Sequence, residues 1–258
     1  MPSRPSGTRR RTTRTATVPT VADLVPIEEI RAAALAIADH VERTPTVASA
    51  GMTVLLGVPS TLKLELLQRS GSFKPRGVAN KLLTLSAAER DAGVVAVSGG
   101  NHGIAVAEVA GGMDIRASVV MPRSAPPRSI ERIRAAGADL WLTEDMGSAF
   151  VSLQELVDQG MTLVHPFDDP VVVAGQGTVG LELADEAPYV TDVLVSIGGG
   201  ALISGVAVAL KTRCPTSGSG SWKSRARTRW RARSSPANRS RSRRARSRAR
   251  SARRTSRA

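Results

Sequence analysis

The chain has 258 residues, 41% of them hydrophobic but only 3% aromatic, so Val, Ala and Leu must build any core. No apolar run approaches the roughly 18 residues of a membrane-spanning helix, so no membrane is expected as a partner. The single cysteine, Cys214, excludes an internal disulfide and is too little for a zinc site, and no metal is expected. The formal charge of +14 would suggest a nucleic-acid binder. Its distribution says otherwise: sixteen Arg, one Lys and no acid in 212–258 carry +17, while the other 19 basic and 22 acidic residues sum to −3.

The N-terminus is basic, with Arg9, Arg10, Arg11 and Arg14, but lacks the apolar region of a secretory signal. Residues 1–24 are expected to form a disordered basic leader, with an Arg-rich transit-type presequence as the alternative. Pro26 followed by Glu28 and Glu29 predicts a helix start. Leu35, Ile37 and Val41 continue its apolar face, and it ends before Thr44-Pro45. Leu62, Leu64 and Leu66 alternate with Lys63 and Glu65, a strand pattern.

A repeated rhythm follows. Short apolar runs at 94–97, 117–121, 140–142, 163–164 and 193–197 are each followed by a helical stretch, at 104–110, 127–136, 150–157, 171–185 and from about 201 to 211. Strand, loop and helix in repetition predict an α/β fold with a parallel sheet covered on both faces. In that architecture ligands bind beyond the carboxyl ends of the strands. After Leu210 there is no Leu, Ile or Val, so 212–258 cannot offset its ordering entropy and is expected to be a disordered Arg/Ser-rich tail. Three readings stand for it: a nucleic-acid-binding tail, a solvated linker, or translation in a wrong frame. The break inside a helical pattern favours the last.

Three segments sit where chemistry is expected. Ser70-Gly71-Ser72-Phe73-Lys74-Pro75-Arg76-Gly77 leads into a helix with Pro75 in its first turn. A helix N-terminus beside Lys74 would lower its pKa, and a neutral amine attacks carbonyls. Ser98-Gly99-Gly100-Asn101-His102-Gly103 joins a strand to a helix, with backbone amides able to approach an anion and with three polar side chains. The run Gly198-Gly199-Gly200-Ala201-Leu202 suits a phosphate. It lacks the Lys and Ser/Thr of a P-loop, and no acid follows about 20 residues on, so a dinucleotide-binding dehydrogenase is disfavoured.

One activated lysine, one Asn-containing loop and one phosphate cradle suit a phosphate-bearing aldehyde. In this order the segments resemble the signature of the fold type II pyridoxal-phosphate enzymes. Ser72-Phe73-Lys74-Pro75-Arg76-Gly77, with His165-Pro166-Phe167-Asp168-Asp169-Pro170 and Ala174-Gly175-Gln176-Gly177-Thr178, is similar to the serine/threonine dehydratases. The resemblance covers about 26–211. It implies pyridoxal 5'-phosphate as cofactor and a two-domain fold of the tryptophan synthase β-like type. The large domain would be 25–92 and 170–211, and the small domain 93–169.

Within that resemblance, Lys74 would bond the cofactor aldehyde and move the α-proton. Phe73 would pack near the ring, and Asn101 would bond the ring hydroxyl. Gly198, Gly199, Gly200, Ala201 and Leu202 would hold the phosphate, while Ser98, Gly99, Gly100 and His102 would cradle the substrate carboxylate. The implied reaction is β-elimination of L-threonine or L-serine to a 2-oxo acid and ammonia. Ala201 stands where the family has a fourth glycine. Gly99 stands where its racemases carry a serine, which argues for elimination over racemisation. His40 and His165 are expected to be structural, His165 as a turn cap. Family members continue well beyond the phosphate loop, so the large domain is expected to be incomplete, with poor solubility and little activity. A small amino acid is the expected partner, nucleic acid only non-specifically through the tail; homo-oligomers are common in the family, and the location is expected to be cytoplasmic. The alternatives are an inactive cofactor-binding fragment and a basic-tailed nucleic-acid binder.

Overall fold

The computed structural model describes residues 25–213; the expected leader and nearly all of the expected tail lie outside the described residues. Helix α1, Ile27–Ala36, begins after extended Pro26 and carries Glu28 and Glu29 in its first turn, where carboxylates favour the helix dipole. Its buried face is Ile27, Ile30 and Ala33, and the turn beyond adds Ile37 and Val41. Leu35, expected on that face, is 82% exposed. A residue two positions before Ile37 lies on the opposite side of a 3.6-residue helix.

Strand β1, Thr46–Ala48, helix α2, Ala50–Leu56, and strand β2, Thr61–Lys63, form an antiparallel hairpin in which Thr46 faces Lys63. Ser49 caps α2 by accepting from Met52 N, and Gly57 closes it at φ 72°. The strand expected through Leu66 therefore stops at Lys63, and a 3-10 turn, Glu65–Leu67, follows. The alternation also has the reverse sense. Leu66 is 66% exposed, while the Lys63 side chain is 6% exposed because Glu182 and Glu186 meet its amine at 2.6 and 2.9 Å. A paired charge took the buried position that periodicity assigns to leucine.

Helix α3, Lys74–Leu83, starts at the reactive segment, and helix α4, Ala87–Ala92, opens with a capping box between Ser86 and Glu89. Next come β3, Val94–Val97, α5, Asn101–Gly111, β4, Ala117–Pro122, α6, Pro127–Ala135, β5, Asp139–Thr143, α7, Met146–Asp158, and β6, Thr162–Leu163. Their strands form one parallel sheet in the order β5-β4-β3-β6, as the rhythm predicts. Alternate residues face opposite layers. Val94, Ala96, Val119 and Met121 pack under α5 and α6, whereas Val95 and Val120 pack against Ala149, Leu153 and Leu156 of α7. Each fully buried valine contributes about 1.5–3 kcal/mol.

Helix α8, Pro170–Glu186, is capped by Asp169, whose Oδ1 accepts from Val171 N at 2.8 Å. Helix α9, Ala201–Arg213, lies beside it. Glycines let the two backbones meet: a Cβ on Gly205 would come within 2.6 Å of Gly177 N, and one on Gly180 within 2.9 Å of Val206 Cα. The other sides of α8 receive Ile30 of α1 at Gly177 and the backbone of α3 at Gly175.

One expectation fails here. No strand forms at 193–197. Val193 and Val195 pack beside Val179, Val206 and Leu210, but Leu194 is 82% exposed. No described strand lies alongside to take its ladder hydrogen bonds, and an extended segment without a partner is not a strand. Helix α9, expected to about 211, continues to Arg213. Among the described residues no helix is long and apolar enough to cross a membrane.

Candidate active site

Lys74 is the first residue of α3, with Phe73 at its N-cap and Pro75 next. Proline fits there because the first helical N–H groups have no intrahelical acceptor. The approach turns through Gly71 at φ 75°, a left-handed conformation that favours glycine. Arg132 pins that turn by donating to Ser70 O at 3.1 Å while pairing with Glu108.

The Lys74 amine donates to Pro166 O at 2.7 Å and lies 5.0 Å from the centroid of the Phe73 ring. Among the described residues it has no carboxylate partner. Burial lowers its pKa below the usual lysine value, so partial desolvation, rather than the helix end invoked from sequence, favours the neutral amine.

The second loop follows β3. Ser98 Oγ accepts from Gly100 N at 3.2 Å. A Cβ at Gly99 would come within 3.1 Å of Ala125 Cβ, and one at Gly103 within 2.5 Å of Ser98 O. Asn101, the first residue of α5, is exposed. His102 points away from solvent. It is 4% exposed, and its Nε2 lies 2.8 Å from Val164 O. A carbonyl acceptor places the proton on Nε2, leaving Nδ1 a lone pair that is buried without a partner. Burial, reinforced by the Lys74 and His165 charges, lowers the His102 pKa to about 4 despite the Val164 bond. The ring is therefore neutral at pH 7. The expected carboxylate contact from His102 can come only from its backbone N–H.

The glycine run ends at α9. Gly200 has φ 98°, and Ala201, in the position of the family's fourth glycine, is helical and buried, so its Cβ is accommodated. Leu202 is half-buried. A Cβ on Gly199 would collide with the Phe167 ring. Space is open at Gly198 and Gly200.

One turn joins these pieces. Val164 holds His102, Pro166 holds Lys74, and Phe167 lies against Gly199. His165 caps the turn, as expected, its Nδ1 accepting from Phe167 N at 3.3 Å and Asp168 N at 2.7 Å, and its ring packs edge-on to Phe167 at 4.7 Å. Among the described residues no hydrogen bond ties Ser98, Gly99, Gly100 or Asn101 to the Lys74 amine, whose acceptor is Pro166 O. Sequence reasoning expected His165 to cap this turn but did not foresee that its Pro166 carbonyl would receive the Lys74 amine or that Phe167 would lie against Gly199.

The family model described as pyridoxal-phosphate dependent enzyme matches residues 37–251. The chain is 43% identical over 196 residues to an L-threonine ammonia-lyase of Thermotoga maritima, covering 74% of this chain and 48% of that protein. It is 39% identical over 208 residues to a catabolic L-threonine dehydratase of Staphylococcus aureus, covering 80% and 60%. The chain thus spans about half to three-fifths of the length of these curated relatives. Among solved structures, maize serine racemase superposes with a TM-score of 0.71 at 36% identity, covering 73% and 58% of the two chains. The processed form of threonine deaminase isoform 2 from Solanum lycopersicum superposes with a TM-score of 0.68 at 35% identity, covering 72% and 55%. With a lysine at the head of a helix, a glycine loop opening another and a parallel sheet between them in sequence, the chain belongs to the pyridoxal-phosphate-dependent enzyme family.

Proposed function

We propose that this site is that of a pyridoxal 5'-phosphate-dependent ammonia-lyase that eliminates water from L-threonine or L-serine. The observation that carries the reading is the Lys74 amine, half-buried, without a carboxylate and tied to the turn that also touches the glycine loop. The residues present fit the cofactor. Lys74 offers an amine inclined to be neutral, and the open space at Gly198 and Gly200 leaves backbone amides at the start of α9 available to an anion. Bound there, the cofactor would supply an electron sink for the carbon that loses its proton.

In this reading Lys74 takes the substrate's α-proton, and the β-hydroxyl leaves with a proton as water. The enamine released becomes an imine, which water hydrolyses to the 2-oxo acid and ammonia. The amides at Gly99 and Gly100 would orient the substrate carboxylate, and Asn101 would hold the cofactor through its ring hydroxyl. Phe73, which lies beside the Lys74 amine, would pack near the cofactor ring, and neutral His102 holds the loop against Val164. The glycine at 99 leaves no second base there, which favours elimination over racemisation. We further propose that 93–169 forms the small domain and that 25–92 with 170–211 forms part of the large one. Support comes from the single four-stranded parallel sheet of β3–β6 and from the separate apolar cluster in which α1, α8 and α9 pack together. Homo-oligomeric assembly and a cytoplasmic location belong to the same reading.

The test is incubation of the full chain with pyridoxal phosphate and L-threonine or L-serine, with detection of the 2-oxo acid. Production that Lys74→Ala abolishes supports the assignment. Folded chain that makes no 2-oxo acid leaves the second reading, a chain that binds the cofactor without turning over the substrate.

A further inference from the structure

Arg76, two residues beyond Lys74, is 0% exposed yet wholly satisfied. Its Nε donates to Glu65 Oε2 at 2.9 Å. Its Nη1 reaches Glu182 Oε1 at 2.6 Å and Thr178 Oγ1 at 3.1 Å. Its Nη2 reaches Glu65 Oε1 at 2.9 Å, Glu182 Oε2 at 3.0 Å and the Glu42 carbonyl at 3.3 Å. Burial works against the charge, but the hydrogen bonds and negative charge of Glu65 and Glu182 outweigh it, so its pKa is raised.

Both carboxylates are themselves held. Glu65 accepts from Thr44 Oγ1 at 2.6 Å. Glu182 also takes Lys63, which bridges to Glu186, and Glu186 takes Arg43 and Thr46. The guanidinium thus fastens the 3-10 turn after the hairpin, the first turn of α3 and α8 at one point. Planar, bidentate pairing fixes orientation as well as distance.

We propose that Arg76 is a positioning residue for Lys74: clamped by Glu65 and Glu182, it sets the first turn of α3 against α8 so that the amine is held at Pro166 O, facing the glycine loop. This rests on the reading of Lys74 as the amine that bonds the cofactor. Arg76 does not touch the reacting atoms. Its side chain runs to the far side of the helix, where it forms part of the wall of a cavity of about 490 Å³ with Ile37, Thr178, Leu181 and Glu182. Arg43, 57% exposed at its side chain, is on the same wall, so the cavity meets solvent.

That cavity permits a specific test. Arg76→Ala, Arg76→Lys and Glu182→Gln are made in the full chain. The Lys74 amine is observed by NMR after reductive methylation with labelled formaldehyde, and separately by its rate of capture by pyridoxal phosphate and borohydride. Guanidinium ion at low, non-denaturing concentration is then added. In Arg76→Ala the Lys74 amine is expected to titrate nearer an ordinary lysine and its capture to slow by about 100-fold, the scale of a 1 Å misplacement. Guanidinium, entering through the cavity, restores both, and Arg76→Lys restores neither in full because an ammonium cannot pair bidentately with two carboxylates. Should Arg76→Ala not fold, Glu182→Gln, which keeps the shape and loses one charge, shows the same shift to a smaller degree. A folded Arg76→Ala or Glu182→Gln whose Lys74 signal and capture rate match the wild type overturns the proposal. A Lys74 signal that responds to Arg76 in a chain that pyridoxal phosphate never captures overturns the cofactor reading and leaves the positioning role standing.

Discussion

Lys74 Nζ and Pro166 O, 92 residues apart in sequence, meet at 2.7 Å, and that one bond joins the start of α3 to the turn leaving the parallel sheet. A carbonyl stabilises an ammonium less than a carboxylate does, and burial lowers the pKa of Lys74. By contrast, Lys63 pairs with Glu182 and Glu186, and Lys81 pairs with Asp169 at 2.9 Å. In competitive labelling with acetic anhydride over rising pH, Lys74 is expected to become reactive at lower pH than the amine of a free lysine derivative in the same tube. Onset at the same pH as the free amine would contradict the role given to burial.

His102 makes stability depend on acid. Its folded pKa of about 4 lies below the ordinary 6.5, so between these values the unfolded chain binds the proton that the folded chain refuses. The contribution is complete above pH 6.5 and is lost as pH falls towards 4, to a total of about 3 kcal/mol. In His102→Gln the amide nitrogen can still donate to Val164 O but cannot titrate. Denaturant midpoints of that variant are expected to be flatter between pH 6.5 and 4 than those of the wild type. Parallel curves would rule out a neutral, buried imidazole.

Glycines in two helices make opposite predictions. Gly175 lies against the backbone of Arg76 and Gly77, where a methyl group collides with main chain that cannot swing aside. Gly175→Ala is expected to destabilise by about 3 kcal/mol, the upper end of ordinary overpacking. Gly51, inside α2, has nothing within 4 Å of a Cβ. Gly51→Ala is expected to stabilise by about 0.5–1 kcal/mol through helix propensity. Thermal unfolding of the two variants gives the comparison, and a shared sign refutes the packing account.

Gly199 and Phe167 should behave as a coupled pair. Gly199→Ala drives a methyl group into the ring, whereas Phe167→Ala removes the obstacle. The double variant is expected to be more stable than the two single effects predict, by about 1 kcal/mol, as residues in contact are non-additive. Strict additivity would mean that the loop and the turn do not touch in solution.

The parallel sheet was legible because runs such as Val94–Val97 and Ala117–Pro122 are buried on both faces and so lack charged residues. The lysine segment and both glycine loops were legible because proline and glycine punctuate the chain where a helix must begin. What the sequence hid depends on partners far away. Lys63 looks like a solvent-facing residue until Glu182 and Glu186 arrive, and Arg76 looks like a surface arginine until Glu65 and Glu182 close on it. The segment around Leu194 failed in the opposite sense: its apolar alternation suits a strand, but strand formation needs a neighbour that local pattern cannot supply.

The clamp on Arg76 also has a temporal side. Glu182 follows it by 106 residues, so at about 5–20 residues per second a ribosome completes Arg76 roughly 5–20 s before the carboxylate that encloses it exists. Throughout that interval Glu65, made eleven residues earlier, is the half of the clamp already within the chain. The β3–β6 sheet, whose strands lie close in sequence, can assemble in the meantime. The lysine end of the site is thus the first of these regions to be synthesised, yet the clamp that fixes its orientation closes only once α8 has been made.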